Sequence, residues 1–122
     1  MRFTVLNEAT FYGRTSYIVA DGGRAIAMVS VFDNDRGVAT LHDLVVHDSR
    51  RRAGIGSRML AKAQDVAWHM GADSMTLTSE PDSWQADWYR RRGFKDVGLG
   101  MYGGHTVLVM EKKLEKGEPR GV

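Results

Sequence analysis

The sequence predicts a single α+β (mixed α/β) domain: one central twisted mixed sheet of about six to seven strands with two main helices. Three observations predict it. The first third of the chain alternates with a period of two and is broken by glycine-rich turns. The period then shifts to that of a helix, with apolar residues at spacings of one, three and four. A strand, a second helix and two more strands follow. At 122 residues one domain is expected, and it is long enough to bury a modest core.

The elements follow in order. Arg2 to Leu6 alternates and reads as an edge strand. Ser16 to Ala20 and Ala25 to Phe32 are rich in Ile, Val and aromatic residues, with Asp21-Gly22-Gly23 as the hairpin turn between them. Asp33-Asn34-Asp35-Arg36-Gly37 is a second turn, and Val38 to Val46 a third long strand. The chain thus opens as an antiparallel meander. Met59, Leu60, Ala63, Val66, Ala67 and Met70 mark one helical face, which Gly71 would end as a C′ glycine. Ser74 to Ser79 alternates as a strand. It pairs with Val38–Val46 across the helix as a βαβ unit, which predicts a parallel contact. Asp82-Ser83-Trp84-Gln85 reads as a capping box with Asp82 as the N-cap. The second helix then runs to about Arg92 and stops at Gly93. Phe94 to Tyr102 and Thr106 to Lys112 are the last strands, around Gly103-Gly104. The domain spans residues 1–114, and 115–122 is a flexible polar tail.

Composition excludes several chemistries. The 43% hydrophobic and 26% charged residues are those of a soluble globular domain. With no cysteine there is no disulfide, thiolate metal site or cysteine nucleophile, and a reducing compartment is compatible. Met1 to Tyr12 has no signal-peptide core, and no apolar run has bilayer-spanning length. A cytoplasmic protein that engages no membrane is expected. A net charge of +2 with a pI near 9.1 is too mild to argue for nucleic acid. The basic residues are clustered, as Arg50–Arg52 and Arg90–Arg92.

Between strand Val38–Val46 and the first helix lies His47-Asp48-Ser49-Arg50-Arg51-Arg52-Ala53-Gly54-Ile55-Gly56-Ser57. Physically this is an anion cradle. Glycines let the backbone approach a ligand and present successive N–H groups. The helix adds its positive end, and arginines add charge-assisted contacts to phosphate oxygens. It is neither G-x-G-x-x-G, since position 59 is Met, nor a Walker A loop. A glycine turn with solvated arginines has the same composition.

The stretch from Leu41 to Ser57 resembles the Gcn5-related N-acetyltransferase (GNAT) family. The family's V-x-P-x-x-R-x-x-G-x-G/A pattern is similar to Val46 through Gly56; Val, Arg and both glycines match, and Asp48 stands where proline is usual. A second family pattern, N-x-x-A-x-x-x-Y-x-x-x-G-F, is similar to Asp82 through Phe94. Tyr89, Gly93 and Phe94 match, while Asp82 and Gln85 replace the Asn and Ala. The resemblance covers roughly Ala25 to Leu114 and agrees in strand order.

The resemblance implies acetyl-CoA as acyl-donor cosubstrate, no metal, and acetyl transfer to a primary amine by direct attack. The pyrophosphate would be held by Arg51, Arg52, Ala53, Gly54, Ile55, Gly56 and Ser57. The pantetheine arm would lie in a splay between Leu44, Val45 and Val46 on one strand and Ser74–Ser79 on the other. A backbone N–H near Val46 would polarise the thioester carbonyl. Tyr89, which the match also brings to the cofactor, would protonate the leaving thiolate; a core tyrosine is the plainer alternative. His42 stands where many members have Glu and would serve as base; a surface histidine reads equally well. By the two-residue period His42, Leu44 and Val46 share a face and Asp43 points away. Glu80 is another candidate base, or a helix cap. His47, His69 and His105 lack metal-ligand spacing, Trp84 and Trp88 read as a packing stripe, and Arg90–Arg92 as a solvated helix end.

One departure bears on the acceptor. Family members place two helices between the first two strands, which wall the acceptor site. Here Asn7 to Thr15 leaves nine residues, room for a loop or a single turn. A reduced or absent wall implies a large acceptor, such as a protein lysine or N-terminus, unless a partner subunit completes the wall. The competing readings are a non-catalytic acyl-CoA-binding regulatory module and a small nucleic-acid binder; the 15 acidic residues spread along the chain weigh against the latter. An unpaired Arg2–Leu6 edge leaves geometric room for a homodimer.

Overall fold

A computed structural model describes residues 2–11, 13–21, 25–33, 37–47 and 54–114. In chain order they form strands β1 (Arg2–Thr10), β2 (Gly13–Asp21), β3 (Ala25–Asp33) and β4 (Val38–Val46), helix α1 (Ile55–His69), strand β5 (Ser74–Ser79), helix α2 (Trp84–Arg90), and strands β6 (Lys95–Tyr102) and β7 (His105–Lys113). The seven strands make one sheet in the order β1-β2-β3-β4-β5-β7-β6. Every contact is antiparallel except β4–β5, which is parallel as the βαβ reading requires. The mixed sheet and two helices are those the sequence predicts.

The meander is more regular than the sequence suggests. β1 and β2 pair without a break from Arg2↔Asp21 to Thr10↔Gly13. The nine residues from Asn7 to Thr15 are therefore mostly ladder, not loop, and only two positions separate the strands. Polar residues are tolerated there because β1 is an edge strand and mostly exposed. One of them, Asn7, is bound across the pair: Ser16, only 1% exposed, donates from its hydroxyl to Asn7 Oδ1 at 2.6 Å.

α1 lies across β2, β3 and β4. Its face of Met59, Leu60, Ala63 and Ala67 is buried with Ile18, Val31, Ala39 and Leu41 of the sheet. Burying a side chain of the size of Met59 or Leu60 stabilises by about 1.5–3 kcal/mol. The two alanines lack bulk and let the helix settle close to the strands. Met75, Leu77, Leu108 and Met110 extend the same core under β5 and β7.

The helix ends where glycine permits. Gly71 has φ of 101°, the left-handed region that side chains avoid. Ala72 N–H donates to Ala67 O and Gly71 N–H to Trp68 O, both at 3.0 Å, which satisfies two orphan carbonyls. Arg14 adds a cation by donating to Met70 O at 3.0 Å. Gly71→Ala should lower stability by about 1–2 kcal/mol; an unchanged urea midpoint would refute this account of the closure.

Candidate active site

The site begins with an irregularity in β4. Met28 pairs with Val45, but Ser30 pairs with His42, so two steps on β3 match three on β4. That is a β-bulge. It contains Asp43, whose φ of 54° is left-handed although it carries a side chain. The bulge reverses the strand's inward face. Ala39 and Leu41 are buried before it; Leu44 and Val46 pack on the core after it; His42 and Asp43 between them are exposed. The simple two-residue period that groups His42 with Leu44 and Val46 therefore fails here.

The bulge also separates two strands. β4 and β5 pair only over Val38–Thr40 and Ser74–Thr76. Beyond that they diverge, and β4 is held by β3 alone. Two hollows open along this splay. One, of about 410 Å³, is lined by Leu44, Val45, Val46, Gly56, Trp84, Gln85, Trp88 and Tyr89. The other, of about 240 Å³, includes Asp43, Ser79, Glu80, Gln85 and Tyr89. Leu44, Gln85 and Tyr89 line both, so the hollows form one cleft that turns at Tyr89. A third hollow of about 450 Å³ lies between the β1–β2 hairpin and α1. It is slightly larger, but it holds a mixed set of charges already engaged with one another, among them Lys62, Asp65 and His69.

Local closures place Tyr89. α2 starts at Ser83, not Asp82: Ser83 Oγ accepts from Ala86 N–H at 3.1 Å and donates to Glu80 O at 2.7 Å. Asp82 is displaced from the cap by its own left-handed turn, φ 54°. The helix closes like α1. Gly93, φ 95°, donates to Arg90 O, and Phe94 N–H donates to Tyr89 O, both at 3.1 Å. The closure seats Phe94 against Tyr89, ring centroids 5.5 Å apart, with Trp88 edge-on at 5.1 Å. The Tyr-x-x-x-Gly-Phe spacing is thus a helix stop that packs two rings. Burial among them pushes the Tyr89 phenol up to about 12, so it keeps its proton at neutral pH.

The glycine loop enters from the other side. Gly54, φ 73°, precedes α1, whose first turn has no side-chain cap and no acidic residue. Its leading N–H groups are therefore left as donors. A Cβ at Gly56 would lie 3.3 Å from the Trp88 ring, so α2 packs directly on this turn. Ile55 points into the core at 5% exposure, so only its backbone can serve a ligand. Arg51, Arg52 and Ala53 lie outside the described residues, as do Asp48, Ser49 and Arg50.

The basic run at the end of α2 is not uniformly solvated. Arg90 pairs with Asp87 at 2.7 Å and Asp96 at 2.9 Å on the surface. Arg92 turns inward. Its guanidinium lies 3.7 Å from the Trp88 ring centroid and donates through Nη2 and Nε to Ser57 Oγ at 2.8 and 3.2 Å. Burial, followed by the charge of Arg91, lowers its pKa. The tryptophans likewise differ from a uniform stripe: Trp88 is packed, whereas Trp84 is 64% exposed at the cleft mouth.

Of the residues singled out in the sequence, Leu44, Val45, Val46, Gly56, Tyr89 and Glu80 line the cleft. Gly54 and Ser57 line neither hollow and stand beside Gly56 in sequence. His42 is exposed and lines neither hollow. Asp43 lines the cleft and Arg92 turns inward, contrary to the sequence pattern; for the first, the bulge hides its direction. The Trp88–Arg92 spacing of four was the available signal for the second.

Comparison with known proteins decides the family. The model of the acetyltransferase (GNAT) family matches residues 3–94. The chain belongs to the GNAT acetyltransferase family. No curated protein matches its sequence. Among solved structures, Ard1 from Thermoplasma volcanium superposes with a TM-score of 0.74 at 17% identity, over 82% of this chain and 71% of that one. An aminoglycoside 6'-acetyltransferase type Ii gives 0.71 at 21%, over 88% and 72%. An IAA acetyltransferase from Bacillus cereus gives 0.68 at 17%, over 84% and 79%. At these identities the likeness is one of fold. The GNAT assignment agrees with the seven-stranded mixed sheet, its strand order and both motifs.

The Tyr89 environment has a measurable consequence. Folding favours the neutral phenol, whose folded pKa lies above its unfolded value of about 10. Its contribution is complete below about 10 and is lost as pH rises towards about 12. Urea unfolding should show wild type losing stability relative to Tyr89→Phe across that window; parallel pH profiles would contradict the burial.

Proposed function

We propose that the protein is an acetyl-CoA-dependent N-acetyltransferase that acts on primary amines by direct attack. The observation that carries this reading is the single cleft of the β4–β5 splay, which turns at Tyr89. The residues present suit an elongated donor with a pyrophosphate at one end. Gly54, Ile55, Gly56 and Ser57 offer N–H groups at the start of α1. Arg51, Arg52 and Ala53 precede them in sequence and would complete the pyrophosphate site. Adding a side chain at Gly56 would crowd Trp88 and fill the cleft's loop end. Leu44, Val45 and Val46 provide an apolar wall on which the arm would lie. Their backbone groups facing away from β3 are not used by β5.

The donor supplies the acyl group as a thioester. Tyr89 holds a proton at Oη throughout the physiological range and delivers it to the leaving sulfur. Asp43 and Glu80 line the opposite arm of the cleft and suit a cationic amine. Glu80 is better placed than His42 to take the amine's proton, because His42 lies off the cleft. A cytoplasmic setting fits a chain without cysteine and, among the described residues, without a helix long and apolar enough to cross a membrane.

The acceptor side is open. A two-position hairpin joins β1 and β2, and no helix stands between them. A protein lysine or N-terminus therefore suits the site better than an enclosed small molecule. Turnover should appear with peptide amines, and turnover confined to aminoglycosides or polyamines would overturn this acceptor class. Tyr89→Phe should lower kcat by about 10²-fold while leaving acetyl-CoA affinity in calorimetry unchanged. Binding without turnover on any amine would instead make the chain an acyl-CoA-binding module.

A further inference from the structure

We infer that Arg92 is a phosphate-positioning residue of the donor site, acting through Ser57. The inference rests on the acetyl-CoA reading and extends it to a residue outside the glycine loop. Arg92 leaves α2 at its C-terminal end and crosses to the first turn of α1, 35 residues away in sequence. Three contacts fix its guanidinium. The plane sits on Trp88 at 3.7 Å, Nη1 donates to Trp88 O at 3.0 Å, and Nε with Nη2 grips Ser57 Oγ. Lys112 Nζ holds the backbone from behind by donating to Arg92 O at 2.8 Å. A long flexible side chain is thus immobilised, half-buried, with no carboxylate partner among the described residues. Its neighbours Arg90 and Arg91 stay exposed.

The chemistry follows from the hydroxyl. Ser57 accepts two charge-assisted hydrogen bonds, so its own proton remains to be donated. Donating to a cation-bound oxygen polarises that O–H and strengthens it towards an anion. Its position is the first turn of α1, where backbone N–H groups already face outward. The ligand group that matches a polarised hydroxyl, open N–H groups and a half-buried, immobilised guanidinium is a phosphate or pyrophosphate, not a carboxamide or a hydrocarbon. Arg92 also fixes the distance between α2 and the loop, because Trp88 lies under it and against Gly56.

The test is calorimetric titration of wild type, Arg92→Met, Arg92→Lys and Ser57→Ala with two probes. Acetyl-CoA carries the phosphates; acetyl-pantetheine carries the same arm and thioester without them. Arg92→Met should weaken acetyl-CoA binding by about tenfold or more. Acetyl-pantetheine affinity, read as competition against a fluorescent arm analogue where direct heats are small, should not change. Arg92→Lys should recover part of the loss, and Ser57→Ala combined with Arg92→Met should cost less than the two separate losses added. A packing role alone would lower the thermal midpoint and weaken both probes equally, which would overturn the inference. Equal acetyl-CoA affinity in wild type and Arg92→Met would overturn it as well. If Arg92→Met does not fold, Arg92→Lys and Ser57→Ala decide by the same comparison. Wild type that binds neither probe would instead defeat the acetyl-CoA reading itself.

Discussion

The extra residue in β4 is the constraint on which the site depends. With Asp43 held left-handed, the strand turns its face and leaves β5 after three pairs. A straight β4 would continue pairing along Leu77–Ser79 and close the splay. It would also aim Leu44 and Val46 away from the core they now cover. Holding a side-chain-bearing residue in this region costs about 1–2 kcal/mol. That strain persists because the ladders with β3 on either side of the bulge fix both ends.

α2 is a short helix, and its position comes from its ends more than from its length. Ser83 anchors the start to the end of β5, and Gly93 stops it so that Phe94 falls on Tyr89. Trp88 then meets Gly56, and Arg92 ties the far end to Ser57. The two helices are thereby joined across the cleft, and Tyr89 sits between the fixed points. The same packing that buries its ring keeps its hydroxyl protonated.

Much of this was legible in the sequence where a local rule governs. The bounds of β4 and β5 follow from alternation and turn residues, and both helix stops follow from glycines at positive φ. Tyr89, Gly93 and Phe94 were visible as a spaced motif because one helix closure imposes that spacing. What was hidden depends on partners distant in sequence. The bulge has no glycine to announce it, so Asp43 lines the cleft where the simple period points it away. Ser83 wins the cap from Asp82 through a bond back to Glu80. The β1–β2 hairpin extends because polar residues such as Asn7 find partners across the ladder. Arg92 turns inward only because α1 places Ser57 beside it.

The narrow parallel seam between β4 and β5 also bears on how the chain assembles. Two to four positions separate each of β1 to β4 from the next, and two glycines separate β6 from β7, so these ladders form between near neighbours. The seam brings Val38–Thr40 against Ser74–Thr76 and encloses all of α1 in the loop it closes. Loop closure of that length is entropically dearer and returns few ladder bonds. The meander with α1 and the C-terminal hairpin are each built from near-neighbour contacts, and the cleft forms only where they meet at Thr40 and Thr76.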